Sequence, residues 1–184
     1  MTKEQRIRRA EELFMQGYNC AQSVTAAFAD IYGYTEEQAL KLSAGFGGGI
    51  GRMRKTCGAA CGMFILAGMD CGSASVDDRE GKSENYKVVQ QLAEAFKQQF
   101  GTLECAELLK LKKDAPLSYE ASERTAEYYA QRPCVNQVVA AARIFAEYCP
   151  LLASPLGEGE EPTPIPSRRE GNWMPHIGGL RIKD

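Results

Sequence analysis

Signals that begin a helix recur along residues 1–149, and no part of this stretch alternates between apolar and polar residues as a strand would. Thr2 and Thr35 are each followed three residues later by a glutamine, which is the capping-box pattern of a helix start. Asn19 and Pro133 are also residue types that favour the first positions of a helix. The sequence therefore predicts an all-α fold, a compact multi-helix bundle.

The composition of the chain changes at position 150. Residues 150–184 hold six of the eight prolines and five of the 18 glycines, which is typical of irregular chain. We therefore predict a helical domain over 1–149 and an extended, mostly irregular C-terminal arm over 150–184. Because the arm also carries large apolar residues such as Trp173, it could lie on the bundle or join a second copy in a homo-oligomer. The alternative is a loose C-terminus.

Charge and histidine content exclude several classes of protein. The chain has 22 basic and 24 acidic residues, and this net charge of −2 gives no general field that would hold a nucleic acid. Its one histidine, His176, would have to fold back from the arm to serve a zinc site or a Cys–His hydrolase. The longest apolar stretch, around 63–69, is far shorter than the roughly 20 residues of a membrane span. Without an apolar signal segment, the chain is expected in the cytoplasm.

The cysteines are the most informative residues for function. There are seven, and an odd number cannot pair completely. Because structural disulfides are rare in the cytoplasm, we expect these thiols to bind a metal, carry out redox chemistry or pack. Four of them fall in the first turns of separate predicted helices: Cys20, Cys57, Cys105 and Cys134. The free N–H groups and the helix dipole at such positions favour the thiolate, which is both a nucleophile and a metal ligand.

If these helix starts meet, the four sulfurs would line an electropositive pocket suited to an iron–sulfur cluster or another thiophilic metal. Three basic residues stand just before Cys57: Arg52, Arg54 and Lys55. Their charge would favour the Cys57 thiolate further. Cys61, one helical turn later, could share the metal. The alternative is that these small side chains fill the core, which is the role we expect of Cys71 and Cys149.

A glycine-rich stretch, GFGGGIG, precedes Cys57. It lacks the preceding strand and the GK[ST] of a phosphate loop, so it predicts a positive-φ connection that lets backbone approach its neighbours closely. Five segments carry a resemblance to a known family: this glycine-rich stretch, CGAACG at 57–62, Cys20 in YNCAQSV, Cys105 in LECAELL and Cys134 in RPCVNQVV. In these segments the chain resembles the C_GCAxxG_C_C family of redox-active proteins. The resemblance covers nearly all of residues 1–149. It implies a redox role for the four cysteines and a redox or transporter-associated partner protein.

These observations give one leading function and two alternatives. The leading one is an electron-transfer protein that holds an iron–sulfur cluster or other metal on the four cysteines. The first alternative is a metal-free thiol–disulfide protein, with Cys57 as the low-pKa attacking thiol and Cys20, Cys61 or Cys134 resolving it. The second is a non-catalytic helical interaction module whose cysteines are core residues. No CxxCH segment occurs, so covalently attached haem is not expected.

Overall fold

The computed structural model describes residues 1–112 and 114–152, and within them the predicted all-α fold is confirmed, with eight α-helices and no strand. The helices are α1 (Lys3–Met15), α2 (Cys20–Ala26), α3 (Glu36–Ser43), α4 (Gly58–Cys71), α5 (Arg79–Phe100), α6 (Cys105–Leu108), α7 (Ala126–Gln131) and α8 (Cys134–Tyr148). Short 3₁₀ helices occur at Ala29–Tyr32, Ala44–Phe46 and Pro150–Leu152. Most of the predicted arm, with His176, lies outside the described residues.

The predicted helix starts are confirmed by their hydrogen bonds. The hydroxyl of Thr2 and that of Thr35 each accept from a backbone N–H three residues later, and the glutamine at that position returns the bond. At the start of α2, Asn19 Oδ1 accepts from the N–H groups of Ala21 and Gln22, both at 3.0 Å. These side chains satisfy N–H groups that a helix end leaves free, so each start is fixed locally.

The core is built around α4, whose residues are almost all apolar. This helix packs against α2, α5 and α8, while α1 packs along α8. Phe28 and Phe145 meet edge to face inside this core, with their ring centroids 5.2 Å apart, and both side chains are fully buried. Helices α2, α4 and α8 thus contact one another, and each begins with a cysteine or directly after one. None of the described helices combines the length and apolar character that crossing a membrane requires.

Arginines that are distant in sequence hold the chain at two helix ends. α2 ends at Ala26, and the carbonyl of Ala27 accepts from Arg6 Nη1 at 2.8 Å. α7 begins at Ala126. The chain before it is held by side chains, since Arg52 donates to the Ser118 carbonyl at 2.9 Å and to Ser122 Oγ at 3.0 Å. In both places an arginine that is distant in sequence donates hydrogen bonds to a carbonyl or hydroxyl oxygen near the end of the helix.

Candidate functional site

One cavity of about 410 Å³ is lined by cysteines from four helices. Cys20, Cys105 and Cys134 are the first residues of α2, α6 and α8, and Cys57 directly precedes α4. All four are buried and are free thiols. The structure therefore brings together the four cysteines that the sequence placed at separate helix starts.

Backbone pairing fixes two of these cysteines side by side. The N–H of Cys57 donates to the Leu103 carbonyl, and the N–H of Cys105 donates to the Lys55 carbonyl, both at 2.7 Å. A single antiparallel bridge, Thr56 with Glu104, lies between these two bonds. The starts of α4 and α6 are joined by this short pairing, which neither helix could form alone.

The glycine-rich stretch forms the floor of the cavity in a left-handed conformation, as predicted. Residues 48–52 all have φ between 56° and 73°. Two of them, Ile50 and Arg52, are not glycine, and this conformation costs such residues about 1–2 kcal/mol each. Where the loop meets the cysteines there is no room for a side chain, because a Cβ on Gly49 would lie 2.6 Å from Cys105 Cβ. The fold thus keeps a strained loop that carries arginine side chains and backbone up to the thiols.

Three of the four cavity cysteines have a raised pKa. Burial raises the pKa of Cys57 to about 12, although the N–H groups of Ala59 and Ala60 act in the opposite direction. The hydrogen bond to Cys134 and burial raise the pKa of Cys20 well above the ordinary value. Burial also raises the pKa of Cys105. Loss of water thus outweighs the helix start at Cys57 and opposes the predicted low pKa, while its role as the attacking thiol stays a prediction.

Cys134 is the cysteine with a lowered pKa. The Cys20 thiol donates a hydrogen bond to the Cys134 sulfur, and this lowers the pKa of Cys134 to about 7. Burial opposes the shift, while the positive charges of Arg132, Arg124 and Arg54 support it. The pair thus favours the thiolate form at Cys134 and the protonated thiol at Cys20.

The charged residues that line the cavity are all arginines. They are Arg52, Arg54, Arg124 and Arg132, and no aspartate or glutamate lines the cavity within the described part of the chain. Arg52 and Arg54 stand just before Cys57 and were predicted to act on its thiolate, whereas Arg124 and Arg132 were not predicted. Arg132 could have been predicted because it stands only two residues before Cys134. Arg124 has no such sequence neighbour and is brought to the cavity by the fold.

The other three cysteines do not line this cavity. The Cys61 thiol faces the Thr56 carbonyl at 3.8 Å, and burial raises its pKa to about 11. Cys71 donates to the Ala67 carbonyl at 3.3 Å. Cys149 lies 3.4 Å from the Tyr32 hydroxyl. The predicted packing role fits Cys71 and Cys149, while metal binding by Cys61 stays a prediction.

No group of three or more His, Cys, Asp or Glu side chains that could hold a metal ion occurs in residues 1–112 and 114–152. The four cysteine sulfurs share a cavity, but as placed they do not surround one ion.

Comparison with known families gives one match. A family model described as "Putative redox-active protein (C_GCAxxG_C_C)" matches residues 18–148, which is well over half of the chain and includes all four cavity cysteines. No curated protein and no solved structure matches the chain.

Proposed function

The chain belongs to the C_GCAxxG_C_C family of redox-active proteins, and from that premise we propose that it is an electron-transfer protein. In this proposal Cys20, Cys57, Cys105 and Cys134 hold an iron–sulfur cluster or another thiophilic metal centre. The observation that carries the proposal is their shared position: four thiols from four helix starts face one cavity.

The number and spacing of the cavity cysteines favour an iron–sulfur cluster over a single metal ion. A tetrahedral ion with metal–sulfur bonds of about 2.3 Å requires sulfurs about 3.8 Å apart. The cavity cysteines do not form such a set, yet four of them border a space of about 410 Å³. Iron–sulfur clusters place several atoms between four cysteine sulfurs, so they suit a wider set. A bound cluster would supply one-electron oxidation and reduction.

The surroundings of the thiols fit a group with negative charge. The four lining arginines and the N–H groups at the helix starts stabilise thiolates and the anionic cluster that they would bind. Because the pKa values of Cys20, Cys57 and Cys105 are raised, these residues carry protons at neutral pH when no metal is bound. Loading would release these protons, so affinity for the metal should fall as the pH is lowered.

Anaerobic purification followed by iron and sulfide analysis tests the proposal. We expect stoichiometric iron, visible charge-transfer absorption, and loss of both when any one of the four cysteines is replaced by alanine. Cys71→Ala is the matched control, since Cys71 begins no helix and lies outside the cavity. If reconstitution with iron and sulfide gives no stoichiometric binding, or if the Cys71 variant loses as much iron as the others, the proposal fails.

A second candidate is a metal-free thiol–disulfide protein, and the contact between Cys20 and Cys134 favours it. The Cys134 thiolate would attack a substrate disulfide, form a mixed disulfide and release one substrate thiolate, which takes up a proton. Cys20 would then give up its proton and displace the second substrate thiolate. The products are a Cys20–Cys134 disulfide and two substrate thiols, so two electrons pass from the protein to the substrate.

One experiment on metal-free protein distinguishes the two candidate functions. Equilibration with a glutathione redox buffer and mass mapping should give a Cys20–Cys134 disulfide, and Cys20→Ser should trap glutathione on Cys134. Failure to form this disulfide under oxidising buffer rejects the second candidate and leaves the first untouched. A partner protein and a homo-oligomer stay predictions.

A further inference from the structure

The arginines of the cavity have no acidic partners among the described residues. The ion pairs of this part of the chain involve other basic residues, and none includes a cavity arginine. Arg124 Nη1 is buried and has no hydrogen-bond partner in the same part of the chain. A buried cationic N–H group without an acceptor is costly. Arg124 is one of the four arginines that line the cavity, so an anion bound there is a candidate acceptor.

Two of these arginines are held beside the reactive thiol pair. The guanidinium carbons of Arg124 and Arg132 lie 4.5 Å and 4.7 Å from the ring centroid of Tyr128. Arg124 also donates through Nη2 to the Tyr18 carbonyl at 3.3 Å, which fixes its guanidinium and leaves Nη1 for another acceptor. Both arginines line the cavity together with Cys20 and Cys134.

The positive charges repel one another across the cavity. Partial burial lowers the pKa of Arg52, and the charges of Arg54, Arg132 and Arg124 lower it further. Fixed cations that face a cavity without neutralising carboxylates raise the local concentration of anions and repel cations. Arginine binds carboxylate, phosphate and sulfonate oxygens through its paired N–H groups.

We infer that the arginine side of the cavity binds an anionic oxygen group of the small molecule that reacts at the cysteines, with Arg124 and Arg132 as its main contacts. The inference rests on the second candidate function, in which a substrate reacts at the Cys134 thiolate, and it adds the charge and chemical class of that substrate. A neutral small molecule would leave the four arginine charges of the cavity without a counter-charge, and a cationic one would be repelled by them.

Matched thiol reagents that differ only in charge test this inference on metal-free, full-length protein. Three methanethiosulfonates are used, ending in a sulfonate, a hydroxyl or a trimethylammonium group. In each reaction the Cys134 thiol loses its proton to solvent and its sulfur attacks the reagent. Methanesulfinate leaves with the electron pair of the broken S–S bond, and a mixed disulfide forms. Each rate is divided by the rate of the same reagent with a free small thiol, which removes the intrinsic difference between the reagents. Because the thiolate fraction of Cys134 is also the same for every reagent, the ratio of two normalised rates reports the charge selectivity of the cavity.

We expect the normalised rate of Cys134 modification to be about tenfold or more higher for the sulfonate reagent than for the ammonium reagent at low salt. This ratio should fall towards one as salt screens the charges. Arg124→Gln and Arg132→Gln should each lower the ratio, while Arg143→Gln, an exposed position on α8, should leave it unchanged. Inorganic phosphate and acetate, added separately, should slow the sulfonate reagent, and the stronger competitor identifies the oxyanion type.

A ratio of one or less in the unsubstituted protein overturns the inference, and so does an equal loss of the ratio in Arg143→Gln. Should either arginine variant fail to fold, the salt dependence of the unsubstituted protein decides the question. The result is independent of the proposed cluster. If the protein binds no iron but prefers the sulfonate reagent, this inference stands and the cluster proposal fails. If it binds iron but shows no such preference, the cluster proposal stands and this inference fails.

Discussion

Hydrogen bonding between Cys20 and Cys134 raises the pKa of Cys20 and lowers the pKa of Cys134, although 114 positions of sequence separate the two residues. Each residue begins a helix, and the packing of α2 against α8 brings the two helix starts together. The bond divides the roles of the pair, because it favours the protonated form of Cys20 and the thiolate of Cys134.

Replacing Cys20 by alanine should raise the pKa of Cys134 above its value of about 7, because the largest contribution to the lowered pKa is lost. The rate of Cys134 alkylation, followed by mass spectrometry from pH 5 to pH 10, measures this pKa. Cys71→Ala should leave the profile unchanged. An unchanged profile in the Cys20 variant would show that the arginine charges, rather than the thiol, set the pKa.

Gly49→Ala should lower the free energy of unfolding by about 1–3 kcal/mol, because the new methyl group meets Cys105 and alanine is strained at φ 73°. Urea unfolding measures the loss. Gly45→Ala is the control in the same glycine-rich stretch, since a Cβ there has no neighbour within 4 Å. That variant should stay within about 0.5 kcal/mol of the original protein. Equal losses in the two variants would contradict the close approach at Cys105.

Helix starts could be predicted from the sequence because their causes are local. A hydroxyl or amide side chain satisfies N–H groups two or three residues away, and the signal is complete within four residues, as at Thr2, Asn19 and Thr35. Helix ends were less predictable. The end of α2 depends on Arg6, which lies 21 positions from the carbonyl it binds.

The positions of the cavity cysteines could be predicted, but their acidity could not. A helix start is a local property that favours the thiolate, whereas burial depends on which helices later cover the sulfur. Cys57 has the expected N–H groups, yet burial outweighs them. Arg124 joins the cavity from a segment with no sequence pattern of its own, because its place is set by Tyr18 and Tyr128.

Alanine substitution of two glycines on α4 should change the free energy of unfolding in opposite directions. A Cβ on Gly62 would lie 2.7 Å from Val24 Cβ and 3.1 Å from the Ala21 carbonyl oxygen, so Gly62→Ala should cost about 1–3 kcal/mol through overpacking against α2. Gly68 is exposed, and a Cβ there meets nothing within 4 Å. Gly68→Ala should therefore stabilise the protein by about 0.5–1 kcal/mol. Urea unfolding of both variants checks the signs, and a shared sign would contradict the packing of α2 on α4.

The ion pair between Arg6 and Asp30 should make stability depend on pH. Arg6 is buried, and its Nη1 and Nη2 donate to the two carboxylate oxygens at 2.5 Å and 3.0 Å. Burial alone would raise the pKa of Asp30, but the hydrogen bonds and charge of Arg6 outweigh burial and lower it. A carboxyl whose pKa is lowered by folding stabilises the protein above its unfolded pKa of about 3.9, and this contribution disappears as the pH falls through the folded pKa.

Asp30→Asn should therefore lower the free energy of unfolding at pH 7 by about 1–2 kcal/mol. The estimate is modest because the Asp30 side chain is 54% exposed, and water screens the pair from that side. Urea unfolding from pH 7 to pH 2 measures the difference from the original protein, which should shrink towards zero below the folded pKa. Asp77→Asn, at an exposed position, is the control and should show no such pH-dependent difference. A constant difference at every pH would mean that the Asp30 variant acts through packing, since a charge pair must lose its effect once the carboxylate is protonated.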